Sequence, residues 1–246
     1  MKIRVAFIGL CVLFALTSSA GARSTAAPYC LSQGDGFRQV FFAAADGVRL
    51  NGITTGKGAL GLVLGHQVGS DSCEWYAMAK LFAGRGYRVL AIDFRGFGLS
   101  PVPKRGSTTA LAADVGGAAD EVRRLGARRV VAIGSSMGGT AVVIAGATPA
   151  YHLAGIVSIS GAGSFWSNDA LQAARRLKIP ARFMAAKEDG TFPDDARTME
   201  SRAPTKDKAL LILPGGSHGT SLLENTYTER RARVFVLAFL RRTARP

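Results

Sequence analysis

Apolar and polar positions are arranged along the chain in two different patterns, one typical of strands and one typical of helices. Short runs of branched apolar residues indicate buried strands, and longer runs with apolar positions at helical spacing indicate helices. The predicted strands are 39–42, 48–54, 61–64, 87–92, 130–133, 153–159, 181–185 and 209–213. The predicted helices are 75–83, 111–125, 139–147, 169–177, 194–201 and 227–240.

The order of these elements predicts an α/β fold. From Phe37 onward strands and helices alternate, which favours a mostly parallel central sheet of about eight strands with helices on both faces. A turn at Ala45–Gly47 separates the first two strands and predicts an antiparallel hairpin there. A chain of 246 residues can bury one sizeable core. We therefore expect one domain over 37–246, preceded by an extension over 23–36.

Residues 1–22 have the pattern of a secretory signal peptide. Met1–Arg4 is basic, Val5–Leu16 is apolar, and Ala20–Ala22 supplies small residues for cleavage. Because the apolar run is shorter than the roughly 20 residues that cross a bilayer, an uncleaved anchor is the weaker alternative. The pattern predicts cleavage after Ala22 and a mature protein that is secreted, periplasmic or held at the cell envelope.

The chain is strongly basic, with a formal net charge of +14 at pH 7. One interpretation is electrostatic association with an anionic envelope surface. The other, which we favour, is an ordinary solvated basic surface, since many of the Arg pairs fall at predicted helix ends, where cations are stabilised by the helix dipole. No aromatic interleaving accompanies the basic clusters, which argues against nucleic acid as a partner.

The three cysteines divide between the export signal and the mature chain. Cys11 lies in the signal, which leaves Cys30 and Cys73 as a pair in a chain bound for an oxidising compartment. A disulfide between them would join the N-terminal extension to the loop after the third strand, and two free thiols are the alternative. Neither cysteine has neighbours at a metal-ligand spacing, so we expect no structural metal.

The segment Gly134–Gly138 reads G-S-S-M-G and lies between a strand and a helix of small residues. A sharp strand-to-helix turn of this kind lifts one serine hydroxyl clear of the sheet, which makes Ser136 the candidate nucleophile. The alternative is a serine that only caps the helix. The same pattern recurs at Gly215–Gly219, but no histidine follows it in the chain to act as the base for Ser217.

A serine nucleophile requires a base, a group that orients the base, and donors for the developing oxyanion. His218 follows the last strand in a glycine-rich loop and is the candidate base, with a surface or capping histidine as the alternative. Asp189 follows the preceding strand and is the candidate acid. Glu188, Asp194 and Asp195 are the alternative carboxylates, and the last two fit the first turn of the next helix better.

Two backbone N–H groups are the expected oxyanion donors. One belongs to Met137, directly after the nucleophile. The other comes from the loop after the third strand and belongs to Gln67 or Val68, and the sequence does not decide between them. His66 in the same loop is expected to brace it by hydrogen bonds, because a catalytic histidine before the serine would contradict the order used by this arrangement.

The chain resembles the α/β-hydrolase superfamily over about 37–240. The resemblance lies in the segments 64–67, 87–100, 134–139, 188–193 and 217–219. One departure is Gln67, where these proteins usually have glycine. The compact layout leaves no room for a cap domain between the strand ending at Ser160 and the strand beginning at Ala181. In this it is similar to small esterases and to dienelactone-hydrolase-like proteins, although dienelactone hydrolases proper use cysteine as the nucleophile.

These residues together predict a secreted serine hydrolase that cleaves a small-molecule carboxylic ester through an acyl-enzyme and needs no cofactor. A peptidase, amidase or thioesterase of the same fold would use the same residues, and a non-catalytic, basic envelope-binding module is a further alternative. The sequence does not define the acyl chain. Five apolar residues are candidates either for an acyl pocket or for ordinary core: Val68, Trp75, Phe165, Trp166 and Phe192.

Overall fold

The computed structural model describes residues 26–102 and 110–244, so the expected export signal at 1–22 lies outside the described residues. The strands are β1 (Arg38–Ala43), β2 (Arg49–Thr55), β3 (Leu60–Gly65), β4 (Arg88–Ile92), β5 (Arg129–Ser135), β6 (Gly155–Ile159), β7 (Ser164–Phe165), β8 (Asn168–Asp169), β9 (Ala181–Ala186) and β10 (Lys208–Leu213). The helices are α1 (Tyr76–Ala83), α2 (Leu111–Arg124), α3 (Met137–Gly146), α4 (Ala170–Ala174), α5 (Phe192–Arg202), α6 (Ser221–Glu224) and α7 (Glu229–Thr243).

Eight of these strands form one central sheet in the order β1-β2-β4-β3-β5-β6-β9-β10. Within it, β2 pairs antiparallel with both of its neighbours, and the pairs from β4 to β10 are parallel. The prediction of a mostly parallel eight-stranded sheet is therefore confirmed. Because β5, β6, β9 and β10 are adjacent and parallel, the loops that follow them meet at one edge of the sheet.

Helices cover both faces of the sheet and divide the core into two layers. Neighbouring residues of one strand enter opposite layers, as Val63 does on one side and Leu62 and Leu64 do on the other. A strand that is buried on both faces reads as a continuous apolar run, which is why the sequence showed runs here rather than alternation. Burial of each such side chain stabilises the folded state by roughly 1.5–3 kcal/mol.

The segment between β6 and β9 differs from the single helix that the sequence predicted over 169–177. The two-stranded hairpin of β7 and β8 comes first, and only then α4, which is five residues long. Asp169 ends the hairpin and caps α4, accepting a hydrogen bond from Gln172 N–H at 2.8 Å. No cap domain is present between these strands, and no helix among the described residues is long and apolar enough to cross a membrane.

The N-terminal extension is tied to the domain next to α1. Cys30 and Cys73 form a disulfide with a Cα–Cα distance of 5.7 Å. The Phe37 and Tyr76 rings stack at 4.6 Å, and the Tyr76 hydroxyl donates to Asp35 at 3.2 Å. Cys73 belongs to a short 3-10 turn, Ser72–Trp75, that leads directly into α1. The extension thus holds the turn that follows the loop after β3.

Candidate active site

Ser136 lies in the turn between β5 and α3. Its backbone has φ of 50° and ψ of −112°, and a positive φ is uncommon for residues other than glycine. Two hydrogen bonds fix this conformation, because Ser136 N–H donates to Ile159 O at 2.9 Å and Thr140 N–H donates to Ser136 O at 3.0 Å. The turn therefore has the backbone shape of a nucleophile elbow.

Glycines on both sides of Ser136 are required by close backbone approaches. A Cβ on Gly134 would overlap the backbone of Gly138, and a Cβ on Gly138 would overlap the backbone of Gly65 at the end of β3. Gly138 N–H also donates to His66 O at 3.1 Å. The first turn of α3 is thereby packed directly against the loop after β3, residues 66–71, which we call the β3 loop.

Asp189 and His218 face each other across two loops. Asp189 follows β9 and is buried, and His218 lies in the segment 214–220 after β10, which we call the histidine loop. His218 Nδ1 lies 2.9 Å from Asp189 Oδ1 and 3.0 Å from Oδ2. With Nδ1 directed at the carboxylate, Nε2 on the opposite side of the ring is the nitrogen available to a hydroxyl.

The alternative carboxylates lie elsewhere. Glu188 is exposed, and its N–H donates to Gly215 O at 3.0 Å. Asp194 and Asp195 occupy the first turn of α5, where Asp194 pairs with Arg197 at 3.1 Å. Among the four carboxylates weighed from the sequence, the contact with His218 is made by Asp189.

The histidine loop passes directly over the elbow. A Cβ on Gly219 would overlap Ser135 Oγ and would lie 3.0 Å from Gln67 Oε1. Gly219, the neighbour of His218, is therefore in van der Waals contact with Ser135, the neighbour of Ser136, although the two are far apart in sequence. The structure brings Ser136, Asp189, His218 and the β3 loop together at one edge of the sheet.

Ser160 is a site residue that sequence reasoning missed. It is fully buried at the end of β6, with φ of 47°. Its hydroxyl donates to Asp189 Oδ2 at 2.7 Å and accepts from Gly219 N–H at 3.1 Å. One side chain thus connects the acid to the histidine loop. The only signal in the sequence is its position after the strand that lies between those carrying Ser136 and Asp189.

Hydrogen bonds to the first two peptide groups of the β3 loop hold it in place. The peptide between His66 and Gln67 accepts from Gly138 through its C=O and donates to Glu74 Oε2 at 2.9 Å through its N–H. In the next peptide, Gln67 O lies 2.6 Å from His66 Nδ1. Since the C=O and N–H of a trans peptide point in opposite directions, Val68 N–H is directed away from His66.

His66 braces this loop in its neutral form. Phe94 N–H donates to His66 Nε2 at 3.1 Å, so Nδ1 carries the proton and donates to Gln67 O. Burial lowers the pKa of His66 below its ordinary value of 6.5, against the raising effects of the Gln67 carbonyl and of Asp93 and Asp71. These contacts are those of a structural histidine rather than a catalytic base.

Apolar side chains lie in the β3 loop and against it. Val68 is 48% exposed and Trp166, at the tip of the hairpin β7–β8, is 57% exposed. The Phe97 ring stacks on Trp166 with centroids 6.3 Å apart and meets the edge of His66 at 5.3 Å. The other candidates differ in environment, as follows: Trp75 is fully buried core, Phe165 contacts Trp166, and Phe192 contacts His218.

The described residues contain no group of three or more His, Cys, Asp or Glu side chains placed to hold a metal ion. The polar groups at this edge of the sheet contact one another instead, as the Asp189–His218 and Glu74–Gln67 pairs show.

A family model described as alpha/beta hydrolase fold matches residues 61–203. The structure is similar to a monoacylglycerol lipase of Paleococcus ferrophilus, with 19% identity, a TM-score of 0.66 and coverage of 79% of this chain and 99% of the other. It is similar to an esterase of Pyrococcus furiosus, with 16% identity, a TM-score of 0.67 and coverage of 82% and 92%. An enol-lactonase of Burkholderia xenovorans has 19% identity, a TM-score of 0.65 and coverage of 81% and 98%.

No curated protein sequence matches the chain. At these identities the structural similarities establish the fold, and the family match, which spans more than half of the chain, establishes the family. The elbow between β5 and α3, and the loops after β9 and β10, lie where that fold has its reacting groups. The chain belongs to the α/β-hydrolase family.

Proposed function

We propose that the protein is an exported serine hydrolase that cleaves a carboxylic ester. The observation that carries the proposal is the Asp189–His218 pair, 2.9 Å apart, beside a serine in a positive-φ strand-to-helix turn. In this role Ser136 is the nucleophile, His218 the base and Asp189 the group that orients it. The disulfide supports export, because such bonds persist in oxidising compartments.

The reaction proceeds through an acyl-enzyme. Ser136 Oγ attacks the ester carbonyl carbon while its proton passes to His218 Nε2, and the new C–O bond leaves negative charge on the carbonyl oxygen. The tetrahedral species collapses as the imidazolium returns the proton to the departing alcohol. Water then attacks the acyl-serine by the same proton path and releases the acid, which restores the Ser136 hydroxyl.

The N–H groups of Met137 and Val68 are the proposed oxyanion donors. Met137 is the first residue of α3, and the first N–H groups of a helix have no hydrogen-bond partner within the helix. Gln67, the other candidate from the sequence, donates its N–H to Glu74. The N–H of Val68 is directed away from His66, which supports Val68 as the second donor.

The substrate we propose is an ester with an apolar group on at least one side. Val68 in the β3 loop and the stacked Phe97 and Trp166 rings, of which Phe97 contacts His66, supply exposed or partly exposed apolar surface at the β3 loop. The hairpin β7–β8 and the short α4 occupy the segment where a cap could be inserted. Without a cap, the rim of the site admits substrates of various lengths. Thioesters and amides are competing substrates, because the same reacting residues would cleave them.

The test uses the mature chain and two serine variants. Treatment with an organophosphonate serine probe should add one adduct to the wild-type mass and none to Ser136→Ala, and a chromogenic short-chain ester should be hydrolysed by the wild type and not by Ser136→Ala. Ser217→Ala is the matched control, because Ser217 lies in the second G-x-S-x-G pattern; it should keep both the adduct and the activity.

The contrary results separate the alternatives. An unlabelled, inactive wild type would reject the hydrolase and leave the basic binding module. Labelling without ester turnover, together with cleavage of the corresponding amide or thioester, would keep the mechanism and replace the substrate class. A Ser217→Ala variant that loses the adduct while Ser136→Ala keeps it would reject the assignment of the nucleophile.

A further inference from the structure

Glu74 lies behind the candidate site and has no role in the mechanism above. It belongs to the 3-10 turn Ser72–Trp75, next to Cys73 and its disulfide. Its Oε2 accepts from Gln67 N–H at 2.9 Å. Its Oε1 is shielded from solvent, and within the described residues it makes no hydrogen bond of ordinary geometry.

Hydroxyl groups from the surrounding loops face this carboxyl group. Burial raises the pKa of Glu74, while the Gln67 N–H and the hydroxyls of Ser135, Ser70 and Thr220 act in the opposite direction. Ser135 Oγ is itself buried without a hydrogen-bond partner among the described residues. Ser135 adjoins the candidate nucleophile, and Thr220 belongs to the histidine loop, so Glu74 lies where three loops meet.

The contact with Gln67 controls the direction of a peptide group. The His66–Gln67 peptide is held at its C=O by Gly138 N–H, 3.1 Å away, and at its N–H by Glu74. This peptide sets where the next one begins, and the next one carries the N–H of Val68. Without an acceptor at the position of Glu74 Oε2, the partly buried N–H of Gln67 would lose its partner, and the peptide would rotate to find another.

We infer that Glu74 is a positioning residue for the oxyanion donors: its carboxyl oxygen fixes the β3 loop so that Val68 N–H is presented to the carbonyl oxygen of the substrate. The inference rests on the proposed function. Glu74 does not touch the substrate. It acts through Gln67, and what it must supply is a hydrogen-bond acceptor at the right distance.

Three substitutions at Glu74 separate this role from a general structural one. Glu74→Gln keeps an oxygen acceptor at the same distance and places an amide N–H₂ near Ser135 Oγ. Glu74→Asp keeps the charge but withdraws the oxygen from Gln67 N–H by one methylene. Glu74→Met keeps the volume and removes the acceptor. Glu121→Met is the matched control, because Glu121 is a buried carboxylate on α2, paired with Arg124.

The expected result is a loss of kcat without a comparable change in KM. Kcat for a chromogenic ester should fall about tenfold or more in Glu74→Asp and Glu74→Met, with KM within about threefold, because oxyanion donors act mainly in the transition state. Glu74→Gln should stay within about threefold of the wild type, as should Glu121→Met. Amide hydrogen exchange at Gln67 should be faster in Glu74→Asp and Glu74→Met and unchanged in Glu74→Gln.

Two results would overturn the inference. One is a wild-type kcat in Glu74→Asp, which retains the polar character of the site and is expected to fold. The other is an equal loss in Glu74→Gln and Glu74→Met, which would mean that the charge rather than the acceptor matters. An inactive wild type would reject the proposed function instead, and hydrogen exchange at Gln67 would still report whether Glu74 holds the loop.

Discussion

Ser160 shows how one buried hydroxyl can link two loops of the site. It donates to Asp189 Oδ2 at 2.7 Å and accepts from Gly219 N–H at 3.1 Å. Both partners are buried, so removal of the hydroxyl leaves a carboxylate oxygen and an N–H without this partner. The expected cost is about 1–3 kcal/mol in the free energy of unfolding.

Ser160→Ala should therefore lower both stability and kcat, the latter by about tenfold, because the carboxylate that orients His218 loses an anchor. Denaturant unfolding and ester kinetics measure the two effects. Thr54→Val is the control, since Thr54 on β2 is also buried and donates to Val89 O on β4 at 2.8 Å, away from the site. An equal loss of kcat in both variants would contradict a specific role for Ser160.

His66 makes a pH-dependent contribution to stability. Its pKa is lowered by burial in the folded protein, whereas in the unfolded chain it titrates near 6.5. Below that pH the unfolded state binds more protons, so the free energy of unfolding falls as the pH drops from 6.5 towards the folded pKa. The slope from this one group is at most about 1.4 kcal/mol per pH unit.

Urea unfolding between about pH 7.5 and pH 5.5 measures this slope. His66→Gln should be less stable than the wild type at the higher pH, since one amide does not reproduce the contacts of the ring with both Phe94 N–H and Gln67 O. Its free energy of unfolding should also fall less steeply on acidification, because glutamine does not titrate. His152→Asn removes an exposed histidine and should keep the decline of the wild type. A decline in His66→Gln as steep as that of the wild type would contradict the prediction.

The disulfide fixes the extension to the turn that carries Glu74. Cys30 and Cys73 are separated by 43 positions, and closing a loop of this length stabilises the folded state by about 4 kcal/mol in the chain-entropy model. The double substitution Cys30→Ser and Cys73→Ser should lower the free energy of unfolding by up to that amount. Wild type with dithiothreitol should match the variant, and an unchanged unfolding midpoint in both would contradict the prediction.

The hairpin β7–β8 places the Trp166 ring against Phe97. Trp166 has φ of 49°, so Trp166→Gly removes the ring and also relieves the backbone strain of that residue. Kcat/KM for esters with an aryl or long acyl group should fall about tenfold, and that for an acetate ester by less than about threefold. Phe41→Ala on β1 is the control for loss of an exposed aromatic ring. Equal losses for both classes of ester would contradict a role in substrate binding.

The excess of positive charge belongs to the molecule as a whole. Several basic residues at the end of α2 pair locally, as Arg123 does with Asp120 and Arg124 with Glu121. We therefore expect diffuse attraction rather than a defined site. The protein should bind vesicles with anionic lipid at about 0.02 M salt and release them at about 0.2 M, where screening shortens the Debye length to about 7 Å. Binding that persists at high salt would contradict this prediction.

Much of the fold could be predicted because local patterns follow from burial. Strands buried on both faces give apolar runs, and the alternation of these runs with helical segments predicted the parallel sheet correctly. The predicted elements also placed Ser136, Asp189 and His218 at the ends of strands, so their meeting at one edge followed from parallel pairing alone. The helix predicted over 169–177 forms as the shorter α4, and the hairpin before it was not predicted, because its turn at Trp166 carries neither glycine nor proline to mark it.

The sequence by itself determined the family fold, the order of the elements and the residues that end the critical strands, since each depends on periodicity or on short motifs. Only the tertiary structure decided which groups touch. Ser160 and Asp189 are 29 positions apart, and Glu74 reaches Gln67 through a loop whose path no local pattern defines. Our proposal of Val68 rather than Gln67 as the second oxyanion donor also depends on the tertiary structure, because contacts with Gly138, His66 and Glu74 set the direction of the two peptide groups.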